Sequence, residues 1–278
     1  MLLTIRHETI YHYTAPLTYT IQQLRLSPRA EPHQHVRQWH IRSSGVRNPF
    51  VDAYDNVSHM LTITGLHNEV KIIAEGVVEI TPLFLGRLTE PGSFSPLVFT
   101  VPTRLTQPTP TIVAFAHQHL LPDQNHIVGN SIDSNQFIKL AEAICAAVAY
   151  EGGVTIVTTS ADAALALGRG VCQDHAHIFL ACCHAVGIPA RYVSGYIDAG
   201  SSDHAESHAW VDVWVQQSDF TGWVSIDVTH ALFASQAYCR LAIGRDYDSA
   251  APVRGVRQGG GDESLSVRVS VLTQMGEQ

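Results

Sequence analysis

Gly168-Arg169-Gly170-Val171-Cys172-Gln173-Asp174-His175-Ala176-His177 decides how this chain is read. Two glycines break the chain just ahead of a cysteine. Apolar residues then follow at helical spacing: Ala176, Phe179, Leu180, Cys183 and Val186. The pattern predicts a helix from about Cys172 to Gly187, with Pro189 two residues beyond. A cysteine there meets the unpaired N–H groups and positive dipole end of a helix start, which favour thiolate over thiol. Gly170, lacking Cβ, allows a close approach to that start. A thiol nucleophile also needs a base, and a group to orient the base.

Both are found downstream. Arg191 to Ile197 reads as a strand, and His208 to Val215 with Gly222 to Thr229 reads as a hairpin. Strand alternation places His208, Trp210, Asp212 and Trp214 on one face and Ala209, Val211, Val213 and Val215 on the other, the expected core face. Pairing Val215 with Phe220 closes a loop over Gln216 to Asp219 and sets His208 opposite Asp227. Directly opposed side chains lie about 4.5–5.5 Å apart at Cβ, so a carboxylate there would fix the imidazole tautomer.

Upstream, Ser160 is placed to cap a helix over Ala161 to Leu167, and Phe137 to Tyr150 reads as a helix with Ser134 as N-cap. Residues 86–135 are rich in Pro, Gly, Ser and Thr, from Thr89-Glu90-Pro91-Gly92-Ser93 onward, and read as a connection. Residues 1–85 read as short strands, Leu3 to Tyr11, Thr18 to Leu26, Val36 to Ser43, His59 to Thr64 and Val70 to Ile80, in a β-sandwich-like accessory domain. The tail, Ser264 to Thr273, is a last strand, grouped with the core over residues 136–278.

The composition is that of an ordinary globular chain: 278 residues, 45% hydrophobic and 15% charged, with a formal net charge of −8. No basic block argues for nucleic acid. No apolar run is long enough to span a bilayer, and the first residues lack a signal-peptide core, so a cytoplasmic location is expected. The five cysteines, Cys145, Cys172, Cys182, Cys183 and Cys239, do not form a disulfide pattern and are expected reduced, all but Cys172 in the core. Cys172-x-x-His175 and Cys182-Cys183-His184 have ligand-like spacing. His175 and His177 point different ways on a helix and Cys183 lies on its apolar stripe, so no metal and no cofactor is expected. The histidines read as helix surface or as support for the site. Asp174 and Arg191 are candidates for an ion pair or for holding the helix start.

Gly170-Val171-Cys172-Gln173-Asp174, Ile188 to Tyr196, Ser207-His208-Ala209-Trp210 and Trp223 to Thr229 together resemble the core of the bacterial transglutaminase-like superfamily, whose members are often described as candidate cysteine proteases. Gly244-Arg245-Asp246-Tyr247 and Pro252 to Gly255 resemble its C-terminal part, and the β segment its N-terminal region. The resemblance implies an α+β fold, a papain-like core with a nucleophile helix packed on an antiparallel sheet, and a triad of Cys172, His208 and Asp227. Asp227-Val228-Thr229-His230 departs from the Asp-Pro-Thr-Asn that many members carry, which implies a local loop change. Gln173, Asp174, Trp210 and Tyr247 are the further candidates to support the triad or border the cleft. The Cys172 N–H is one candidate oxyanion donor, with Gln173, Gln136 and Tyr150 as candidates for a second.

The expected function is thiol-dependent acyl transfer on a peptide or protein amide, with hydrolysis as the default outcome. A cross-linking transglutaminase and an inactive module that binds peptides or proteins are the alternatives.

Overall fold

A computed structural model describes residues 1–88, 93–120, 132–198 and 207–274. In chain order these form β1 (Leu2–Leu24), β2 (Gln34–Ser43), β3 (Val46–Val51), β4 (Val57–Ile80), α1 (Pro110–His119), α2 (Ser134–Ala147), β5 (Ala149–Tyr150), α3 (Ala161–Leu167), β6 (Arg169–Gly170), α4 (Cys172–Ala185), β7 (Ala190–Ile197), β8 (Ser207–Gln216), β9 (Thr221–Asp227), β10 (Leu232–Phe233), β11 (Tyr238–Gly244), α5 (Tyr247–Ala250), β12 (Val253–Gly259) and β13 (Glu263–Gln274).

The core is α+β. An antiparallel sheet of order β10-β9-β8-β7-β11 packs one face on α4, around which α1, α2 and α3 are placed. The expected core-face residues Ala209, Val211, Val213 and Val215 lie there with Val224 and Ile226. The opposite face is covered as well: Trp210 and Trp223 are fully buried against Phe99 and Leu88.

The other sheet is built on two long antiparallel strands, β1 and β4, each of which changes neighbours midway. Residues 2–13 of β1 pair with β13 and residues 17–24 with β12. β4 pairs first with β3 and then with β2. The ladder of β1 and β4 is interrupted between His12 and Leu17, around Pro16, which has no N–H to give to it. Leu3, Ile5, Leu17, Leu61, Val70 and Ile72 from both halves share one core. The strands read separately as Leu3 to Tyr11 and Thr18 to Leu26 are therefore one strand, as are His59 to Thr64 and Val70 to Ile80.

Three boundaries differ from the sequence reading. β12 and β13, grouped by sequence with the core, complete the first sheet by pairing with β1, whose backbone N–H and C=O groups would otherwise stay open along that edge. The stretch read as a connection contains α1, capped by Thr109, whose side chain accepts the Ile112 N–H; its residues 89–92 and 121–131 lie outside the described residues. α2 is capped by Asp133, and Ser134 is already helical. α3 has the expected bounds, with the Ser160 hydroxyl accepting the Ala163 N–H and Gly168 closing the helix at φ 67°. No helix among the described residues is long and apolar enough to cross a membrane.

Candidate active site

Cys172 is the first residue of α4, so its N–H belongs to the first-turn donors that a helix leaves without an internal partner. Three neighbours fix that start. β5 and β6 pair in parallel, Tyr150 beside Gly170, and the Glu151 N–H donates to the Gly170 carbonyl at 2.7 Å. Asp174 folds back, its Oδ2 accepting the Val171 N–H at 2.8 Å and the Thr155 hydroxyl at 2.7 Å. A Cβ on Gly170 would lie 2.6 Å from that same Oδ2, which is the physical need for glycine there. Asp174 thus holds the helix start and does not meet Arg191, whose Nε instead donates to Asp212 at 2.8 Å.

His208 lies near the start of β8, within electrostatic reach of the Cys172 side chain. Its Nε2 is 2.8 Å from Asp227 Oδ2, which leaves Nδ1 for the sulfur. The hairpin register differs from the expected one: Val215 pairs with Gly222, Val211 with Ile226, and Gln217 to Phe220 form the loop. This two-residue slip keeps every residue on its face, because the strand repeat is two. It moves Asp227 from directly opposite His208 to its diagonal neighbour, still within hydrogen-bond reach.

Asp227 is fully buried at the end of β9. Its Oδ2 also meets the Tyr238 hydroxyl and His230 Nδ1, each at 2.7 Å, and Oδ1 accepts the His230 N–H at 3.2 Å. Burial alone would raise the Asp227 pKa; the hydrogen bonds and charges of His208 and His230 hold it well below the carboxylate range. Burial alone would lower that of His208; Asp227 and the Cys172 sulfur outweigh it and push His208 up to about 10. The pair therefore favours imidazolium beside carboxylate. Tyr238, forced up by burial and by Asp227, stays a donor.

The remaining candidates have distinct places. Trp210 is fully buried, donates to Ser225 Oγ at 3.0 Å, and lies nearly parallel to the His208 ring at 6.2 Å, so it supports the histidine and is closed to a substrate. Gln173 Nε2 donates to the Val157 carbonyl at 3.2 Å, bracing the loop before α3. Tyr247 is half-buried, its ring edge-on to Tyr192 and its N–H given to His177 Nε2. Gln136 donates to the His119 carbonyl, at the end of α1. Tyr150 is half-exposed beside the nucleophile turn, its ring edge-on to His175.

His175 and His177 are buried, not surface. His175 spends both ring nitrogens, on Thr229 Oγ1 and the Val148 carbonyl. Among the described residues, those that could converge on a metal are others: His208, Asp227 and His230 offer three ligand atoms within 4.8 Å of one another, all engaged in the hydrogen bonds above. Tyr238 was missed by sequence reasoning because it comes from β11, at the opposite edge of the sheet from β10, with no local signal. The signal for His230 was its departure from the usual Asn.

A family model described as the transglutaminase-like superfamily matches residues 125–228, and one described as the bacterial transglutaminase-like N-terminal region matches residues 3–79. An uncharacterized protein of Mycobacterium leprae is 29% identical over 279 residues, spanning 97% of this chain and 98% of its own length. One of Mycobacterium tuberculosis is 26% identical over 300 residues, spanning 98% and 93%. The crystal structure of a candidate cysteine protease from Cytophaga hutchinsonii superposes with a TM-score of 0.78 at 19% identity, covering all of this chain and 92% of the other. At that identity the likeness is one of fold.

Proposed function

The chain joins a transglutaminase-like superfamily core to the bacterial transglutaminase-like N-terminal region, and from that premise we propose that it is a thiol acyl-transfer enzyme that hydrolyses peptide or protein amides. The observation that carries this reading is a cysteine at a helix N-terminus, within electrostatic reach of a histidine that a buried carboxylate holds at 2.8 Å.

With the proton shared by Cys172 and His208 already on the imidazole, Sγ attacks the amide carbonyl carbon, forming a C–S bond and an oxyanion. The Cys172 N–H is a donor for that oxyanion. Collapse breaks the C–N bond, and the proton on His208 goes to the leaving amine. His208 then takes a proton from water, whose oxygen attacks the thioester and releases a carboxylic acid, which leaves that proton on His208 beside the freed sulfur. Asp227 stays ionised throughout, fixing the ring so that Nδ1 faces the sulfur.

The test uses iodoacetamide and a glutamine-bearing peptide with a labelled amine. Cys172 should alkylate far faster than Cys145 or Cys239, and His208→Ala should abolish the difference. The peptide should yield acid without amine incorporation. Equal labelling of all three cysteines would overturn the nucleophile, and amine incorporation would overturn hydrolysis in favour of cross-linking.

A further inference from the structure

A cavity of about 280 Å³ opens between the segments that follow β1 and β3 and the strands β7 and β11. Its charged lining is Arg29, Glu31, His33, Asp55 and Arg191. Arg191 is only 5% exposed, and its guanidinium lies against Trp223 at 4.3 Å and Phe99 at 5.9 Å. Its Nε donates to Asp212 at 2.8 Å. Its Nη1 and Nη2 meet no acceptor among the described residues, yet neither is sealed off, and the cavity that Arg191 lines is where they open. Arg29 gives Nε to Glu31, and Nη1 to the Tyr54 carbonyl and Asn56 Oδ1, which leaves its Nη2 without an acceptor among the described residues. Buried donors without partners cost free energy, and a guanidinium fork matches the two oxygens of a carboxylate.

The charge around the cavity is also unbalanced. Three guanidiniums, Arg29, Arg191 and Arg240, share two carboxylates, Glu31 and Asp212. His33 stands 3.7 Å from Glu31, but burial lowers its pKa and keeps it neutral. Asp55 is exposed and, among the described residues, pairs with neither lining arginine. The cluster therefore holds one positive charge more than its carboxylates answer, and a buried charge calls for a partner. Burial, with Arg240 beside it, lowers the Arg191 pKa in spite of Asp212, as expected for a cation short of counter-charge. Apart from these groups and Ser93, the wall is apolar and aromatic, with Tyr54, Phe94, Phe99 and Ile243. The Tyr54 ring centre lies 6.5 Å from that of Phe94 and 6.0 Å from that of Phe99.

We propose that this cavity binds a small carboxylic acid as its anion: Arg191 Nη1 and Nη2 donate to the carboxylate, Arg29 adds positive charge, and the ligand's apolar body packs on Tyr54, Phe94 and Phe99. One uncompensated positive charge matches a monocarboxylate better than a phosphate dianion, and the aromatic wall matches a ligand with an apolar body. Cys172, His208 and Asp227 do not line the cavity, so the assignment is independent of the acyl-transfer reading.

The test is calorimetric titration of the full chain at neutral pH and low salt with three probes: 3-phenylpropanoate, its uncharged amide 3-phenylpropanamide, and inorganic phosphate. The carboxylate should bind one to one, and the amide and phosphate at least about tenfold more weakly. Arg191→Lys keeps a charge beside Asp212 but has no fork, and should weaken carboxylate binding about tenfold. Asp55→Asn removes a negative charge from the lining and should tighten carboxylate binding about twofold or more. Asp55 is exposed, and asparagine accepts its φ of 58°, so this variant tests the cavity even if Arg191→Lys perturbs folding. Equal binding of the carboxylate and its amide, wild-type affinity in Arg191→Lys, or no tightening in Asp55→Asn would overturn the assignment.

Discussion

Asp227 Oδ2 is shared by His208 Nε2, His230 Nδ1 and the Tyr238 hydroxyl, all within 2.8 Å, so one buried oxygen sets the ionisation of the site. His208 is raised, so its bond contributes stability in full below its ordinary value of 6.5, and loses it as pH rises through about 10. Asp227 is depressed, so its contribution is full above its ordinary 3.8 and is lost as pH falls through its lower folded value. The pair is thus most stabilising between about 4 and 6.5 and weakens toward both extremes. Asp227→Asn removes the main group holding His208 up, leaving burial to lower it. In that variant the imidazole signal of His208, followed by NMR, should titrate well below its wild-type midpoint. Turnover should fall about 100- to 10,000-fold, the usual worth of an oriented general base. An unmoved His208 midpoint would show that Asp227 does not set its charge.

At the scale of elements, the start of α4 is a small mechanical unit in which Gly170, Val171, Thr155 and Asp174 depend on one another. Gly170→Ala would drive a methyl into Asp174 and displace the carboxylate from the Val171 N–H. Losing that cap and stranding the buried carboxylate should cost about 1–3 kcal/mol, read from urea unfolding. Asp174→Ala should cost a similar amount through the same lost bonds. In Gly170→Ala/Asp174→Ala the clash has no partner, so the double variant should unfold at a smaller loss than the two single losses added. Strict additivity would mean that the glycine is needed for some other reason. The helix itself was legible in its apolar spacing and flanking glycines. Its burial on every side was not, since an apolar stripe interleaved with His175, His177 and His184 looks like a half-exposed helix until α1, α2 and α3 are packed around it.

For the molecule as a whole, the two sheets are joined through buried charge. Asp212 is fully buried on β8 and accepts from Arg191 on β7 and from Arg240 on β11, at 2.6–2.9 Å. Arg240 reaches on to Glu31 at 2.9 Å, and its backbone exchanges hydrogen bonds with the side chain of Gln34 at the start of β2. The Arg191 guanidinium lies 4.3 Å from the Trp223 ring centre. Asp212→Leu would leave two buried guanidiniums short of counter-charge and should cost about 3–5 kcal/mol in urea unfolding. Because Glu31 and Gln34 belong to the other sheet's part of the chain, both sheets should melt in one transition at lower denaturant. A loss under 1 kcal/mol, the scale of an exposed pair, would mean that the network does not join them.

The sequence by itself determined what is local or periodic. Gly168, Gly170 and the apolar spacing after Cys172 place the nucleophile at a helix start; strand alternation puts His208 and Asp227 on a common face; the ordered motifs imply the family. Tertiary structure alone decided what depends on neighbours distant in the chain. The hairpin slipped by two residues because alternation fixes the face but not the register. Arg191 found Asp212 and not Asp174 because β7 lies beside β8. The tail strands left the core for β1 because a strand's open ladder is closed by whichever edge the packed molecule presents. Tyr238 and His230 gathered on Asp227 because a buried carboxylate takes its donors from every element that reaches it.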